Sequence, residues 1–467
     1  MMKTRIYEFL FGTPARVMTV AAALTLAVAG CEYVAVPAPA PASSATAEVA
    51  AAGARRVRVS AEGVNAAEPA VAADAAGAVY VAWVGHGAGK EADVWVARFD
   101  AEGKREGEAA RVNPAAGEAT AWRGDPPDVA VADDGTVYVA WTARAAETGH
   151  ATTLYLSASR DGGRSFAPPS KVNDDATPGV HGMHSLAVGS GGRVYLAWLD
   201  ERNLHQQHES PKTVDSAGDG AGAKKAGGGM HGERNREVFF AASGDGGRTF
   251  SPNRRVASEA CPCCQTALAV AGDGRVYVGW RHVLPGDMRH IAVAASEDGG
   301  ETFAAPTIVS DDRWELRGCP VSGPALAAGD GGGLRVLWFT AGEAGRPGLY
   351  TSDSNDGGRT FAPRRLLKEG NLRGTPLLLA DERGGLVAVF EGANDSGSNG
   401  LWRLRLGDTT GEATGDATGD AGGASPVGGG ESASAATRDG RLNVAYVAHG
   451  GVWLAGTDGA EAEEGLD

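Results

Sequence analysis

Three of the five cysteines of this 467-residue chain fall within four positions, in the stretch ACPCCQTALAV from Ala260 to Val270. Cys319 lies in RGCPVSGPAL, and His181, Met183 and His184 lie in GVHGMHSLAV. Thiolate, imidazole and thioether are soft donors, and a shell built from Cys261, Cys263, Cys264, Cys319, His181, Met183 and His184 suits copper or zinc. Outside the cytoplasm the same cysteines have a second chemistry, because a bond from Cys319 to one of the cluster would staple two neighbouring units of the fold. A vicinal Cys263-Cys264 bond is strained and labile, which adds a redox alternative. Cys-x-Cys-Cys is not a standard zinc spacing, so disulfide and metal stay open as alternatives.

Compartment bears directly on that choice. Lys3, Arg5 and Arg16 precede or open an apolar run, Val17 to Ala29, too short for a membrane span but right for a secretory signal. The run ends in Val28-Ala29-Gly30-Cys31, which resembles a bacterial lipobox. That resemblance implies a lipoprotein signal peptide over 1–30, lipidation of Cys31, and attachment to a membrane in the cell envelope, periplasmic or on the outer surface. Residues 31–54 read as an extended Ala/Pro-rich tether without apolar periodicity. A formal net charge of −15 favours solubility and argues against nucleic acid as a partner.

The elements that must hold the cysteines announce themselves by repetition. An apolar refrain recurs at AVYVAWV, TVYVAWT, RVYLAWL, RVYVGWR, LRVLWFT, GLVAVFE and LNVAYVA, with its aromatic at Trp83, Trp141, Trp198, Trp280, Trp338, Phe390 and Tyr446. Successive intervals are 58, 57, 82, 58, 52 and 56 residues, the long one holding a Gly-rich insertion at 203–235. In most copies a second apolar segment and a Gly-containing turn precede the refrain, and two further short segments follow it. This is the pattern of four antiparallel strands per unit, an all-β propeller blade. Seven refrains predict seven blades over 55–457, with six as the alternative count. The last copy lacks a clear fourth strand, and the orphan segment RRVRVS at Arg55 to Ser60 is expected to supply it and close the ring. A second insertion, 407–430, is expected to replace the fourth strand of the sixth blade, and 458–467 forms an acidic tail.

Between third and fourth strands runs another motif: SRDGGRSF, SGDGGRTF, SEDGGETF and SNDGGRTF, with carboxylates Asp161, Asp245, Asp298 and Asp356. The Asp accepts backbone N–H bonds within a tight turn, Gly supplies positive φ, and the aromatic plugs the blade edge. RFDAEGK at Arg98 to Lys104 reads as a worn fifth copy. These motifs resemble the Asp boxes, or BNR repeats, of the sialidase-like β-propeller superfamily, in which the boxes are structural turns away from the active face. Sialidase activity in that superfamily implies a Phe/Tyr-Arg-Ile-Pro, three carboxylate-gripping arginines, a Tyr-Glu nucleophile pair and an Asp acid/base. The nearest counterpart here, Arg55-Arg56-Val57-Arg58, lacks the aromatic and the Pro, and no tyrosine lies in a mouth loop.

Propeller topology sorts the remaining candidates. Connections from strand four to the next strand one, and from strand two to three, share a face, and all ten histidines are expected there. Counted back from the refrain Trp, His181 and Cys263 both stand at 17 positions, Cys261 and Cys319 at 19. Three consecutive blades are thus expected to aim soft ligands at one height near the channel. Arg144, Arg202 and Arg317 could also face that mouth, and Arg123, Arg281, His282 and Arg373 are candidate ligand contacts there. Asp125 and Glu68 are candidate acid/base groups for a hydrolase. The expected function is a lipid-anchored propeller that binds a ligand or soft metal ion at the Cys/His/Met cluster. The alternatives are an exo-sialidase or related glycoside hydrolase acting on acidic glycans, and a scaffold for another envelope protein.

Overall fold

A computed structural model describes residues 55–89, 91–120, 124–145, 151–176, 179–204, 235–380, 385–393, 399–406, 425–428, 430–438 and 441–457. All belong to one compact unit, Thr46–Asp467. The expected signal peptide, lipidation site, tether and acidic tail lie outside the described residues, as does most of each insertion.

After β1 (Arg55–Arg58), the strands come in fours. The first set is β2 (Asn65–Ala73), β3 (Val79–His86), β4 (Ala92–Phe99) and β5 (Ala110–Arg111). The second is β6 (Asp128–Val131), β7 (Val137–Arg144), β8 (Thr152–Ser159) and β9 (Ser170–Lys171). The third is β10 (His181–Val188), β11 (Val194–Asp200), β12 (Arg236–Ser243) and β13 (Arg254–Ala260). The fourth is β14 (Ala267–Val270), β15 (Val276–Leu284), β16 (Met288–Ser296) and β17 (Thr307–Ile308). The fifth is β18 (Ala325–Ala328), β19 (Leu334–Thr340), β20 (Gly348–Ser354) and β21 (Arg365–Glu369). The sixth is β22 (Leu372–Ala380), β23 (Leu386–Ala393), β24 (Asn399–Leu406) and β25 (Ser425–Gly428). The last is β26 (Glu431–Arg438), β27 (Arg441–Ala448) and β28 (Gly451–Thr457), completed by β1.

Within each set the order along the sheet is the order in the chain, and every pair is antiparallel. β1 pairs with β28, Arg55 opposite Gly456 and Arg58 opposite Trp453. The third and fourth sets are joined by a single bridge, Ala260 to His282. First strands lie side by side in the order β2, β6, β10, β14, β18, β22, β26, and β26 lies against β2 again. The expected loss of the sixth set's fourth strand is corrected: β25, at the end of the low-complexity insertion, pairs with β24.

The refrain builds the core because alternation on a strand buried on both faces leaves no polar position. Trp141, Trp198, Trp280 and Trp338 are fully buried, each burial stabilising by roughly 2–3 kcal/mol. In six sets the refrain aromatic stands directly opposite another aromatic on the third strand: Trp83 and Trp95, Trp141 and Tyr155, Trp198 and Phe239, Trp338 and Tyr350, Phe390 and Trp402, Tyr446 and Trp453.

The Asp boxes join one set to the next. Asp245 Oδ1 accepts from the backbone N–H of Arg248 and Thr249 and from Ser243 Oγ, while Oδ2 accepts from Thr249 Oγ1. Bonds from the Ser or Thr four residues on hold Asp161, Asp245, Asp298 and Asp356 below the usual carboxylate range. Gly247, at φ 78°, lies where a methyl group would strike Leu156 of the preceding set. Phe303, the aromatic of another box, meets Phe240 of the preceding set edge-on at 5.0 Å. The worn copy keeps its carboxylate turn, Asp100 Oδ1 accepting from Lys104 N–H at 2.7 Å. No helix among the described residues is long and apolar enough to cross a membrane.

Candidate functional site

Where the first strands begin, around the centre of the ring, a cavity of about 450 Å³ opens. Its lining includes Glu68, Gly124, Val321, Gly374 and Ser432, each from a different set or the segment leading into it. All five have left-handed backbone, at φ 49°, 139°, 47°, 64° and 53°. For Glu68, Gly374 and Ser432 the cause is visible in the pairing, because the register of β2, β22 and β26 shifts at these residues. Such bulges re-aim side chains, and a non-glycine residue held left-handed costs of order 1 kcal/mol or more. Three of the eight non-glycine left-handed residues among those described, Glu68, Val321 and Ser432, thus line this mouth.

Four charged groups line the cavity: Glu68, Arg373, Glu391 and Glu431. Glu68 is buried and its Oε2 lies 2.6 Å from His86 Nε2. Burial lifts Glu391 above the usual carboxylate range, the neighbouring Glu431 charge adding to it and the Ser432 N–H and Arg373 cation opposing. Arg373 is exposed to the cavity, and Val321 presents an exposed apolar surface there. Glu391 and Glu431 were not among the sequence candidates. They follow or precede degenerate refrains, and the only signal for Glu391 is its place directly after the refrain aromatic Phe390.

Asp125, expected as an acid/base group, is instead the centre of a buried network between Gly124 and Pro126 of the cavity wall. Its Oδ2 accepts from Thr142 Oγ1 at 2.6 Å, its Oδ1 from Met183 N–H at 2.7 Å, and His184 Nδ1 lies 3.6 Å from Oδ1. Burial pushes Asp125 up, but the bonds and charge of His184, with Thr142 and Met183, bring it below its ordinary value. For His184 burial works downward and is outweighed by Asp125 and Asp128, so its pKa is raised. His181 is likewise surrounded: Nδ1 is 2.5 Å from Thr152 O, and Nε2 is 3.1 Å from Asp175 Oδ1 and 3.5 Å from Asp200 Oδ2. Both histidines belong to strand β10 rather than to the loop before it, and neither ring reaches the cysteines.

Of the expected ligand contacts, Arg373 alone lines the cavity, and Arg123 lies outside the described residues. Arg281 is fully buried, donating from Nε to Ser322 O and from Nη2 to Phe339 O with its guanidinium 5.0 Å from the Trp314 ring. His282 packs on Trp280, accepting from its Nε1 at 3.3 Å, and burial lowers its pKa. Arg202 is committed to the buried Asp200, and Arg144 to Gly117 O. Arg317 is exposed near Glu315. The described histidines do share one face: His86, His181, His184, His282, His290 and His449 sit at second-strand ends, third-strand starts, first-strand starts or the turn before β28.

The sulfur group did assemble. Cys263 and Cys319 are disulfide-bonded, with Cα atoms 6.2 Å apart, within the ordinary span of such bonds. The bond ties the segment before β14 to the segment before β18. Cys261 and Cys264 are buried free thiols whose sulfurs lie 3.5 Å apart, and Cys261 Sγ lies 3.8 Å from Cys263 Sγ. Sγ atoms of Cys261, Cys263 and Cys319 all fall within 4.8 Å of one another, the one such group among the described residues. Met183 packs in the same apolar cluster as Cys261, Cys263 and Cys264. The hydrogen bond from Cys264, helped by the Arg289 and Arg281 charges and opposed by burial, brings the Cys261 thiol down to about 6, and burial drives Cys264 well up. The imidazoles are not part of this group, in which Cys263 and Cys319 are bonded to each other; His181 lies 3.1 Å from Asp175 and His184 3.6 Å from Asp125.

The family model for the BNR repeat-like domain matches residues 77–412, more than half of the chain. No curated protein matches. Among solved structures, a protein of unknown function from Dyadobacter fermentans shares 14% identity over 87% of this chain and 99% of its own, with a TM-score of 0.45. The Hadza microbial sialidase Hz136 shares 14% over 79% of this chain and 74% of its own, at 0.46. The polysaccharide lyase Uly1 shares 10% over 84% and 90%, at 0.49. Likeness at this level concerns the fold alone.

Proposed function

This chain belongs to the BNR repeat-like domain family, and from that premise we propose that it binds a glycan in the cavity at the centre of its first strands. The reading is carried by one observation: five left-handed residues from separate sets converge on a cavity of about 450 Å³ that also holds Arg373, Glu68, Glu391 and Glu431. Strained backbone gathered at a concave polar mouth is the usual mark of a ligand site. Carboxylates accept from sugar hydroxyls, Arg373 suits a sugar carboxylate, and Val321 offers an apolar face to a pyranose ring. Calorimetric titration with glucuronate- and sialate-containing oligosaccharides tests it: Arg373→Ala should weaken an acidic ligand about tenfold or more. Equal affinity in the variant, or no binding of any glycan, defeats the reading.

Glu391 favours a hydrolytic form of the same proposal. A carboxyl that keeps its proton to higher pH, on one cavity with Glu68, is the acid/base equipment of glycoside cleavage. Release of a fluorophore from a sialoside, abolished in Glu391→Gln, is its test. Soft-metal capture by the sulfurs would require the reduced protein, and metal content measured with and without reductant decides it. We further propose attachment to the cell envelope through lipid on Cys31, motivated by the Val28-Ala29-Gly30-Cys31 stretch. Radiolabelled palmitate should enter the chain in bacterial cells and be lost in Cys31→Ala.

A further inference from the structure

Cys261 and Cys264 are three positions apart and close a tight turn, Cys264 N–H donating to Cys261 O at 3.4 Å. Their sulfurs are in contact at 3.5 Å, and Cys261 Sγ is also in contact with the bonded sulfur of Cys263 at 3.8 Å. Thiol–disulfide exchange needs such a contact, a thiolate to attack, and an exit for the departing sulfur. Two cations act on the attacking sulfur: the Arg289 and Arg281 charges favour its thiolate, both residues are buried, each carries an Nη1 with no hydrogen-bond partner, and Cys261 N–H donates to Arg281 O at 2.8 Å. The exit is Cys319, which is exposed while the other three cysteines are buried.

We propose that the four cysteines form a thiol–disulfide exchange site in which Cys261 and Cys264 deliver an electron pair to the Cys263–Cys319 bond. In the first step the Cys261 thiolate attacks Cys263 Sγ. The Cys261–Cys263 bond forms, the Cys263–Cys319 bond breaks, and Cys319 leaves as a thiolate that takes a proton from solvent. In the second, Cys264 gives up its proton and attacks Cys261 Sγ, forming Cys261–Cys264 and releasing Cys263 as the thiolate that receives that proton. Cys261 and Cys264 are oxidised by two electrons and Cys263 and Cys319 are reduced by two, so no outside oxidant takes part. The product has a reactive thiol at the surface, open to exchange with small disulfides in solution, and no covalent tie between the fourth and fifth sets.

Full-chain protein purified without reductant, treated natively with N-ethylmaleimide at neutral pH and mapped by mass spectrometry, tests this. Adducts are expected on Cys319 and Cys263, with Cys261 and Cys264 linked within one peptide. Cys261→Ser should slow labelling of Cys319 about tenfold or more, because the attacking thiolate is gone. Cys264→Ser should stop at the first step, leaving Cys319 labelled and Cys263 unlabelled, which keeps the test readable if Cys261→Ser does not fold. Native protein in which Cys319 stays unlabelled, or adducts on Cys261 and Cys264 with the original bond intact, would overturn the proposal. So would equal Cys319 labelling with and without Cys261.

Discussion

Asp125 and His184 show how one buried pair fixes a stretch of the ring mouth. The folded pKa of His184 lies above its unfolded value, so its contribution is complete below that value and fades as pH rises through the folded one. Asp125 is the reverse, with stability complete above its unfolded value and lost as pH falls through its lowered one. Together they give a plateau between about pH 4 and 6.5 that falls away on both sides. Asp125→Asn should cost about 3 kcal/mol on that plateau and flatten the profile, which urea midpoints measured from pH 3 to 9 would show. A profile as curved as that of the parent protein would mean that other groups govern it. Both ring nitrogens of His184 look onto oxygen atoms, Nδ1 at 3.6 Å from Asp125 Oδ1 and Nε2 at 3.3 Å from Ala140 O.

At the level of the strand and turn, two devices recur: the bulge that opens a first strand and the Asp box that closes a third. Gly247→Ala should destabilise by about 2–3 kcal/mol, since alanine must hold φ near 78° and displace Leu156. Gly244→Ala, in the same turn but with nothing within 4 Å of the added methyl, is the control, and equal melting temperatures for the two would refute the packing role. The boxes and refrains were legible because their chemistry is local and repeats with the chain. Bulges were not, for an extra residue leaves the apolar pattern intact. Counting back from Trp198 leads to His181, which is the first residue of β10. The pairing shifts between Gly182 and Ser185, with Met183 at φ 53°, an irregularity that counting does not register. Cys319 and Cys263 did meet because each precedes its first strand in neighbouring sets.

For the molecule as a whole, the pairing of β1 with β28 decides the behaviour of the ring. Val59 is fully buried, Ser60 Oγ accepts from Val452 N–H at 3.1 Å, and the Arg56 guanidinium lies 5.5 Å from the Trp453 ring. Deleting the chain up to Ser60 should lower the stability of the last set by about 3 kcal/mol or more and leave β28 as an open edge. Light scattering should then report larger species for the truncated chain than for the parent protein, and unchanged size with unchanged melting would sink this account. The orphan strand was legible from the sequence because a blade short of one strand and a strand short of a blade stood at opposite ends. Glu391 and Glu431 were not, since a ring brings together residues from blades whose own motifs have decayed. Ser60 and Val452 are 392 positions apart, so the last ladder cannot form until Val452 has been synthesised. The other sets pair within themselves and can form early, so closure of the ring is the late, slow step of folding.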